Sequence, residues 1–417
     1  MNVANFLIKH HLAPDYINTD EMIELCLEEI KKGLLKFYEI DKCSIPLLPT
    51  YINRQIEVND KEYIVIDAGG TNFRSAIAKL EDGQIKLTNF NMAKMPGVRT
   101  ELTKQEFYNE FLNNIKPIIN NYLGIGLCFS YQLKMQKDLS GTLVAWAKEI
   151  KAEEVVGTDI GKELLKVIYN ENKTHHDIAI INDTVAVLLG SLTLNQGFDS
   201  YIGCIYGTGF NVCYEEQTSN ILKIDDYKEN SMIINTEVGN FSKFIKGDID
   251  IELNNHTNIK NEALAEKMIS GFYLPKIISI AFKKAVEENV ITKNTNFDTF
   301  NMVDVSTFLE DETGRIADSF IEHDLVKTII DSILSRAAKL ASIIISSFAI
   351  KSGAKNIGIA LEGTTIYKTP TLLDKLKYYL DSILLEKGIK YSIIDGRDKI
   401  LQGALMAIMK KMTYSKE

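Results

Sequence analysis

The run Asp67-Ala68-Gly69-Gly70-Thr71-Asn72-Phe73-Arg74 places a carboxylate, two residues without Cβ and a guanidinium close together. Gly69 and Gly70 bare backbone N–H groups that can point at phosphate oxygens. Asp67 can hold Mg2+ through water, and Arg74 adds positive charge or braces the loop. The same run also reads as an ordinary hairpin whose buried Asp satisfies turn amides. It fits neither GxxxxGK[ST] nor GxGxxG, which excludes a Walker A loop and argues against a Rossmann dinucleotide site. A second turn, Gly207-Thr208-Gly209, offers another phosphate cradle. Asn182-Asp183 closes an apolar stretch, a common position for polar chemistry in an α/β lobe. An Asp there equally caps a helix. Asn235-Thr236-Glu237 and Glu266 add polar groups in otherwise apolar context.

Elements to position these residues are legible in the hydrophobic pattern. Tyr63 to Asp67, Phe73 to Leu80 and Gln84 to Met92 read as three strands, the first two joined by the glycine turn. Residues 17 to 36 read as a helix, with acidic residues leading and lysines following. Residues 42 to 50 read as a Pro-containing turn region. A helix over 103 to 122 carries Phe107, Phe111, Ile115 and Ile118 on one stripe, with Pro117 positioned to bend it. Residues 123 to 130 form an apolar strand, and 131 to 152 read as polar and irregular around Trp146. A short helix over 160 to 169 precedes a strand at 177 to 182 and a helix from 184 to 194. Tyr201 to Tyr206 and Phe210 to Glu215 flank the second glycine turn. Helices then fill 261 to 290, 304 to 322 and 325 to 350. A strand at 356 to 361, a helix at 371 to 387, a strand at 391 to 394 and a helix at 401 to 411 complete the chain. GGTN at 69 to 72 and GTGFN at 207 to 211 look like an internal repeat, two related hairpins presenting phosphate turns. The alternation of strand and helix fits two α/β lobes.

Composition bounds the partners. The 417 residues carry 47 Lys+Arg and 56 Asp+Glu, a formal charge of −9. Such a field repels nucleic acid and anionic membrane at long range. The five cysteines are dispersed without a CxxC pair, and the histidines show no zinc spacing. Reduced core thiols in a cytoplasmic protein are expected. The start shows no secretory h-region. Ala337 to Ile350 is apolar but too short to span a bilayer, so a core helix is expected there.

The motifs together resemble the hexokinase/glucokinase family. DAGGTNFR (67–74) resembles its first phosphate motif and GLCFSY (126–131) its sugar-loop strand. GTLVAWAKEIKAEEVVG (141–157) is similar to its lysine-bearing segment, and INDTVAVLL (181–189) to its catalytic-aspartate motif. GTGFNVCYEE (207–216), NTEVGNF (235–241) and AEKMISGFYL (265–274) follow in family order, and KKGLLKF with LLPTYI precedes the first motif. The resemblance implies an α/β fold of the actin-like ATPase (ribonuclease H-like) type, two lobes with a deep interlobe cleft. Residues 62–181 plus about 398–417 would form the small lobe, and 1–61 plus 182–397 the large one.

It also implies roles. Sugar ligands fall on Ser130, Lys148, Asn182, Asp183, Asn211, Glu237 and Glu266, with Asp183 as catalytic base and Lys148 offsetting developing charge. Phosphate contacts fall on Gly70, Thr71, Asn72, Arg74 and Thr208, beside the glycines Gly69, Gly207 and Gly209. Asp67 falls on the carboxylate that orients Mg2+-bound water, and Ser335, Gly363 and Thr364 fall in the nucleotide half. The implied reaction is transfer from Mg-ATP to the 6-hydroxyl of a D-hexose, glucose first, by a monomer or homodimer. A kinase preferring mannose, fructose or glucosamine, a hexose sensor and an actin-like ATPase remain alternatives. Departures from the family pattern are Ala147 for Thr, Ser130-Tyr131-Gln132 for Ser-Phe-Pro, Val238 for Trp, and Asp395-Gly396-Arg397-Asp398 with its next glycine only at Gly403.

Overall fold

A computed structural model describes residues 2–36, 43–119, 124–146, 150–192 and 197–414. Its first strands are β1 (Leu48–Pro49), β2 (Tyr63–Ala68), β3 (Asn72–Glu81), β4 (Gln84–Lys94), β5 (Gly124–Phe129), β6 (Gln132–Met135) and β7 (Gly141–Ala145). They are followed by β8 (Asp177–Ile181), β9 (Ser200–Tyr206), β10 (Phe210–Gln217), β11 (Ser231–Asn235), β12 (Asn356–Glu362) and β13 (Lys390–Asp395).

Two sheets dominate. One runs β4-β3-β2-β5-β8 and the other β1-β11-β10-β9-β12-β13. Apart from the edge strand β1 the two share one arrangement. Three consecutive strands pair antiparallel, and two later strands add in parallel beside the first of them. The short repeat of glycine turns is thus the visible part of a repeated sheet. β2 and β5 are buried at every position, which is why they read as continuous apolar runs rather than as alternation.

Helices cover the sheets. Lys104–Ile115 starts with a capping box between Thr103 and Glu106 and gives way to a 3-10 turn containing Pro117. The helix Asp183–Ser191 has every residue from Thr184 to Ser191 buried. Its partner is Ile400–Tyr414, and the two cross at glycines. A Cβ on Gly403 would lie 2.0 Å from the Ala186 carbonyl oxygen. His323–Ser352 is long and apolar enough to cross a membrane, yet most of its apolar window is buried against the rest of the protein. At its centre Arg336 is fully buried and donates to both Asp250 oxygens at 2.8 Å.

Several expectations are corrected. Residues 131–152 are not irregular throughout, because β6 and β7 pair as a hairpin. Their polar residues face solvent while Leu133 and Leu143 fill the core, an alternation too short to stand out. The helix expected over 261–290 is two, Leu264–Ile269 and Leu274–Glu287, parted where Gly271 donates to the Gly207 carbonyl. The stretch 304–322 likewise divides: Glu312 takes φ +53° and ends Met302–Asp311, and Gly314, at φ +81°, opens Gly314–Ser319. β11 and the helix Asp248–Asn255 have no counterpart in the sequence reading. The cysteines are free, with Cys26, Cys128, Cys204 and Cys213 buried and Cys43 partly so.

Candidate active site

The ends of β2, β5 and β8 in one sheet, and of β9, β11 and β12 in the other, carry the polar residues singled out above. At the end of β2, Asp67 is buried and accepts from Arg74 Nε at 2.9 Å and Nη2 at 2.5 Å. Burial pushes its carboxyl up, and Arg74 offsets only part of that. Its other oxygen, Oδ1, is buried with no hydrogen bond formed, although the Cys128 thiol acts weakly on the carboxyl. The turn that follows is closed by Gly69 N–H to the Asn72 carbonyl at 3.1 Å, and Lys94 Nζ reaches Asn72 Oδ1 at 3.3 Å. Thr71 points to solvent.

Asn182 follows β8 and is the N-cap of the next helix, its side chain accepting from Thr184 N–H at 3.0 Å. Asp183 is therefore the first helical residue rather than the cap. Its Oδ1 accepts from the Thr184 N–H at 2.8 Å and hydroxyl at 3.3 Å. The capping alternative and the chemical one are shared between neighbours. Asp183 lies close enough to Asp67, Glu237 and Glu362 to raise the carboxyl of each.

In the second sheet a chain of amides leads toward Asp183. Asn211 Nδ2 donates to Asn235 Oδ1 at 2.7 Å, and Asn235 Nδ2 to Glu237 Oε1 at 2.8 Å. Glu237 holds a left-handed backbone at φ +51°, a conformation costing about 1–3 kcal/mol in a non-glycine residue. Asn240 secures it by bonding the Glu237 carbonyl from both its N–H and its side chain. Desolvation pushes the Glu237 carboxyl up to about 7, with Asp183 and Glu266 adding to the rise against the Asn235 donor. Glu266 Oε2 accepts from the Phe210 N–H at 3.1 Å, directly beside the second glycine turn. A Cβ on Gly209 would stand 3.0 Å from that oxygen. Asn182, at the end of β8, and Asn235, in the other sheet, border one small recess with Thr50 and Tyr131.

The second turn is braced from behind. The Gly207 carbonyl accepts from Gly271 N–H at 2.9 Å and from Thr365 Oγ1 at 2.8 Å. Phe272 N–H bonds the Thr208 carbonyl, and the Thr208 residue is exposed. Gly363 sits at φ +140°, where a Cβ would lie 2.2 Å from the Tyr206 carbonyl oxygen, so Gly363 and exposed Thr364 abut the Gly207 turn.

Not every expected residue joins this group. Lys148, with Ala147, falls outside the described residues. Ser130 lies at the end of β5, its N–H bonded to the Ala68 carbonyl at 3.3 Å. Ser335 sits on His323–Ser352, next to the buried Arg336; among the described residues no hydrogen bond links it to either glycine turn. Val238 is buried and Gln132 exposed.

Sequence reasoning missed several polar groups. Glu362, just before Gly363, is pushed up to about 7 by desolvation and by Asp183, with Asp67 and Asp398 adding to the rise and Arg74 opposing it. Asp398 sits after β13, where Arg397 bonds back to Asp395. Tyr131 donates its hydroxyl to the Gly69 carbonyl at 2.8 Å. A position directly after a strand, as for Glu362, was the available signal; Tyr131 and Asp398 stood out only as departures from the family pattern.

The arrangement supplies a floor of hydroxyl-matching amides and carboxylates, a carboxylate at its centre, and two backbone turns with N–H groups. Such a site can bind a polyol and bring it to a phosphate chain. Comparison with known proteins follows the same line. Two family models, each described as hexokinase, match residues 6–193 and 201–409. Hexokinase-3 of Oryza sativa subsp. japonica is 30% identical over 72% of this chain and 66% of its own length. The Schistosoma mansoni hexokinase is 26% identical over 93% of this chain and 92% of its own. Among solved structures, the S. mansoni hexokinase complexed with glucose superposes with a TM-score of 0.79 at 21% identity, covering 98% of both chains. A ROK family glucokinase from Streptomyces griseus in complex with glucose and AMPPNP gives 0.51 at 13% identity, covering 83% of this chain and 99% of that one. These likenesses establish the actin-like ATPase fold.

Proposed function

Because this chain belongs to the hexokinase family and is a hexose phosphotransferase, we propose that it transfers the γ-phosphoryl group of Mg-ATP to the 6-hydroxyl of a D-hexose, glucose first. The observation that carries this reading is the position of Asp183. It lies close enough both to Glu237, at the end of the Asn211–Asn235–Glu237 chain, and to Asp67, paired with Arg74, to raise the carboxyl of each.

Each group has a task that its chemistry suits. A hexose is a ring of hydroxyls, so its site needs acceptors and donors at several distances, which Asn182, Asn211, Glu237 and Glu266 provide. Ser130 and Lys148 complete the set in this reading. Asp183 accepts the proton of the primary hydroxyl as phosphorus is attacked, while its Oδ1 stays oriented by Thr184. Positioning and charge stabilisation make up most of the remaining barrier reduction in an in-line transfer. Gly69-Gly70 and Gly207-Thr208-Gly209 would face the phosphates with backbone N–H groups. Ser335 and Gly363-Thr364 would lie toward the nucleoside.

The donor set fits a hydrated cation. Asp67 Oδ1 is a buried carboxylate oxygen with no hydrogen bond formed, suited to accept from the waters of Mg2+. That cation, when bound with the nucleotide, neutralises phosphate charge. In this chain Arg74 holds the second Asp67 oxygen and so aims the first. The two sheets that share the site would act as lobes, 62–181 with about 398–417 and 1–61 with 182–397, closing on the sugar to exclude water. We place the reaction in the cytoplasm, with small molecules as partners and neither nucleic acid nor membrane.

Coupled ADP release with Mg-ATP tests the reading against glucose, mannose, fructose, glucosamine, galactose, N-acetylglucosamine and no sugar. Release that depends on one or two hexoses supports it and ranks them. Release that no sugar changes would replace it with a plain ATPase.

A further inference from the structure

Tyr131 lies where three parts of the site meet. It follows Ser130 at the end of β5 and is almost fully buried. Its ring stacks edge-on against Trp146, centroids 4.9 Å apart, and tilts against Phe129 at the same distance. Trp146, fixed by its Nε1 donating to the Ala152 carbonyl at 2.8 Å, leads into the segment that carries Lys148. The same Tyr131 borders the recess shared by Asn182 and Asn235.

The hydroxyl of Tyr131 crosses to the other half of the reaction. It donates to the Gly69 carbonyl at 2.8 Å and lies 3.4 Å from that of Gly70. The Gly69 carbonyl and the Gly70 N–H belong to one planar trans peptide, so they point in opposite directions. Holding the carbonyl toward Tyr131 aims the N–H away from it, out of the turn. Two consecutive glycines would otherwise leave this peptide free to rotate, since neither has a Cβ to restrict it. Gly69 N–H to Asn72 and Met95 N–H to Thr71 fasten the ends of the turn. Among the described residues, only Tyr131 bonds the carbonyls between them.

We propose that the Tyr131 hydroxyl is a positioning group that sets the Gly69–Gly70 peptide for the phosphoryl donor and couples acceptor binding at Ser130 to donor binding at the turn. The proposal rests on the reading of that turn as the donor site. Here a sugar seated against Ser130 restrains the adjacent Tyr131, and the restraint passes through one hydrogen bond to the turn.

Tyr131→Phe in the full chain removes the hydroxyl and keeps the ring. Steady-state kinetics would vary Mg-ATP at saturating hexose. Calorimetry would measure Mg-ADP binding with and without hexose, and hexose binding alone. The expected result is a roughly three- to tenfold loss in kcat/KM for the donor, the range one net hydrogen bond supports. The gain in Mg-ADP affinity on adding hexose should shrink by a similar factor. Hexose affinity, Tm and Trp146 emission should stay as in the unsubstituted protein. Unchanged donor kcat/KM and unchanged hexose-dependent gain would overturn the proposal. So would equal losses in hexose and donor binding with a lowered Tm, because that pattern marks general packing. If the unsubstituted protein shows no hexose-dependent turnover of Mg-ATP, the kinase reading falls, and this proposal with it.

Discussion

Asp67 and Arg74 face each other in register across the β2–β3 hairpin and are joined by two hydrogen bonds to one carboxylate oxygen. Hairpin register, set by the turn between them, is what makes residues seven apart in sequence into an ion pair. Arg74 is about a third exposed while Asp67 is almost fully buried. Arg74→Met therefore leaves a buried carboxylate without its main partner. We expect a stability loss of about 1–3 kcal/mol, reduced in the Asp67→Asn, Arg74→Met double variant. Denaturant unfolding of the four proteins in a double-mutant cycle measures the coupling; a coupling near zero would show that the pair is not a structural unit.

Asp183 tests the base assignment. Asn182 caps the helix independently, so Asp183→Asn should fold normally. Loss of a general base costs about 10²–10⁴ in rate. We expect kcat to fall by that order while hexose still binds. Turnover within a few-fold of the unsubstituted enzyme would remove Asp183 from the role.

Glu237 predicts a pH dependence. Its carboxyl is raised from 4.5 to about 7 by desolvation and neighbouring carboxylates. An acid raised on folding binds more protons in the native than in the unfolded state across that window. Its contribution to stability is therefore fully present below the unfolded value and lost as pH rises through about 7. The carboxylate is the form that accepts sugar hydroxyls. Hexose affinity should thus increase with pH over the same window, and Glu237→Gln should both weaken binding and flatten that limb. Calorimetric hexose titrations across neutral pH decide this, with Glu362→Gln as the control that separates its own titration near 7.

The buried Arg336–Asp250 pair is distant in role but central in packing. Arg336 also donates to the His11 carbonyl at 3.0 Å, tying the N-terminal segment to His323–Ser352. Asp250→Ala would strand a fully buried guanidinium at a cost of about 3–5 kcal/mol. A Tm shift of only a degree or two would mean that water or a rearranged carbonyl takes over.

Gly363→Ala addresses the second turn. The backbone at φ +140° and the 2.2 Å approach to the Tyr206 carbonyl leave no room for a methyl group. We expect the Gly207 turn to shift and donor KM to rise more than hexose KM. Equal donor and hexose parameters to those of the unsubstituted protein would show that the turn tolerates displacement.

Local sequence alone determined the two glycine hairpins, the strands that feed them and the position of Asp183 at a strand end. These depend on hydrophobic periodicity and on residues lacking a Cβ, both properties of short stretches. The order of motifs from residue 67 to 274 carried the family, and with it the candidate ligands. What the tertiary structure decided are relationships between distant stretches. The β6–β7 hairpin and β11 exist because their apolar faces meet a core supplied by other segments. The break at Ser270–Tyr273 arises because Gly271 is bonded to Gly207, over sixty residues earlier in sequence. Glu362 and Asp398 join the Asp67–Asp183 group only when β12 lies beside β9 and β13 beside β12. The Tyr131 hydroxyl finds the Gly69 carbonyl because β5 lies parallel to β2. Hydrogen bonds and charge coupling act over a few ångströms in space, and chain order does not specify that separation until both sheets are assembled.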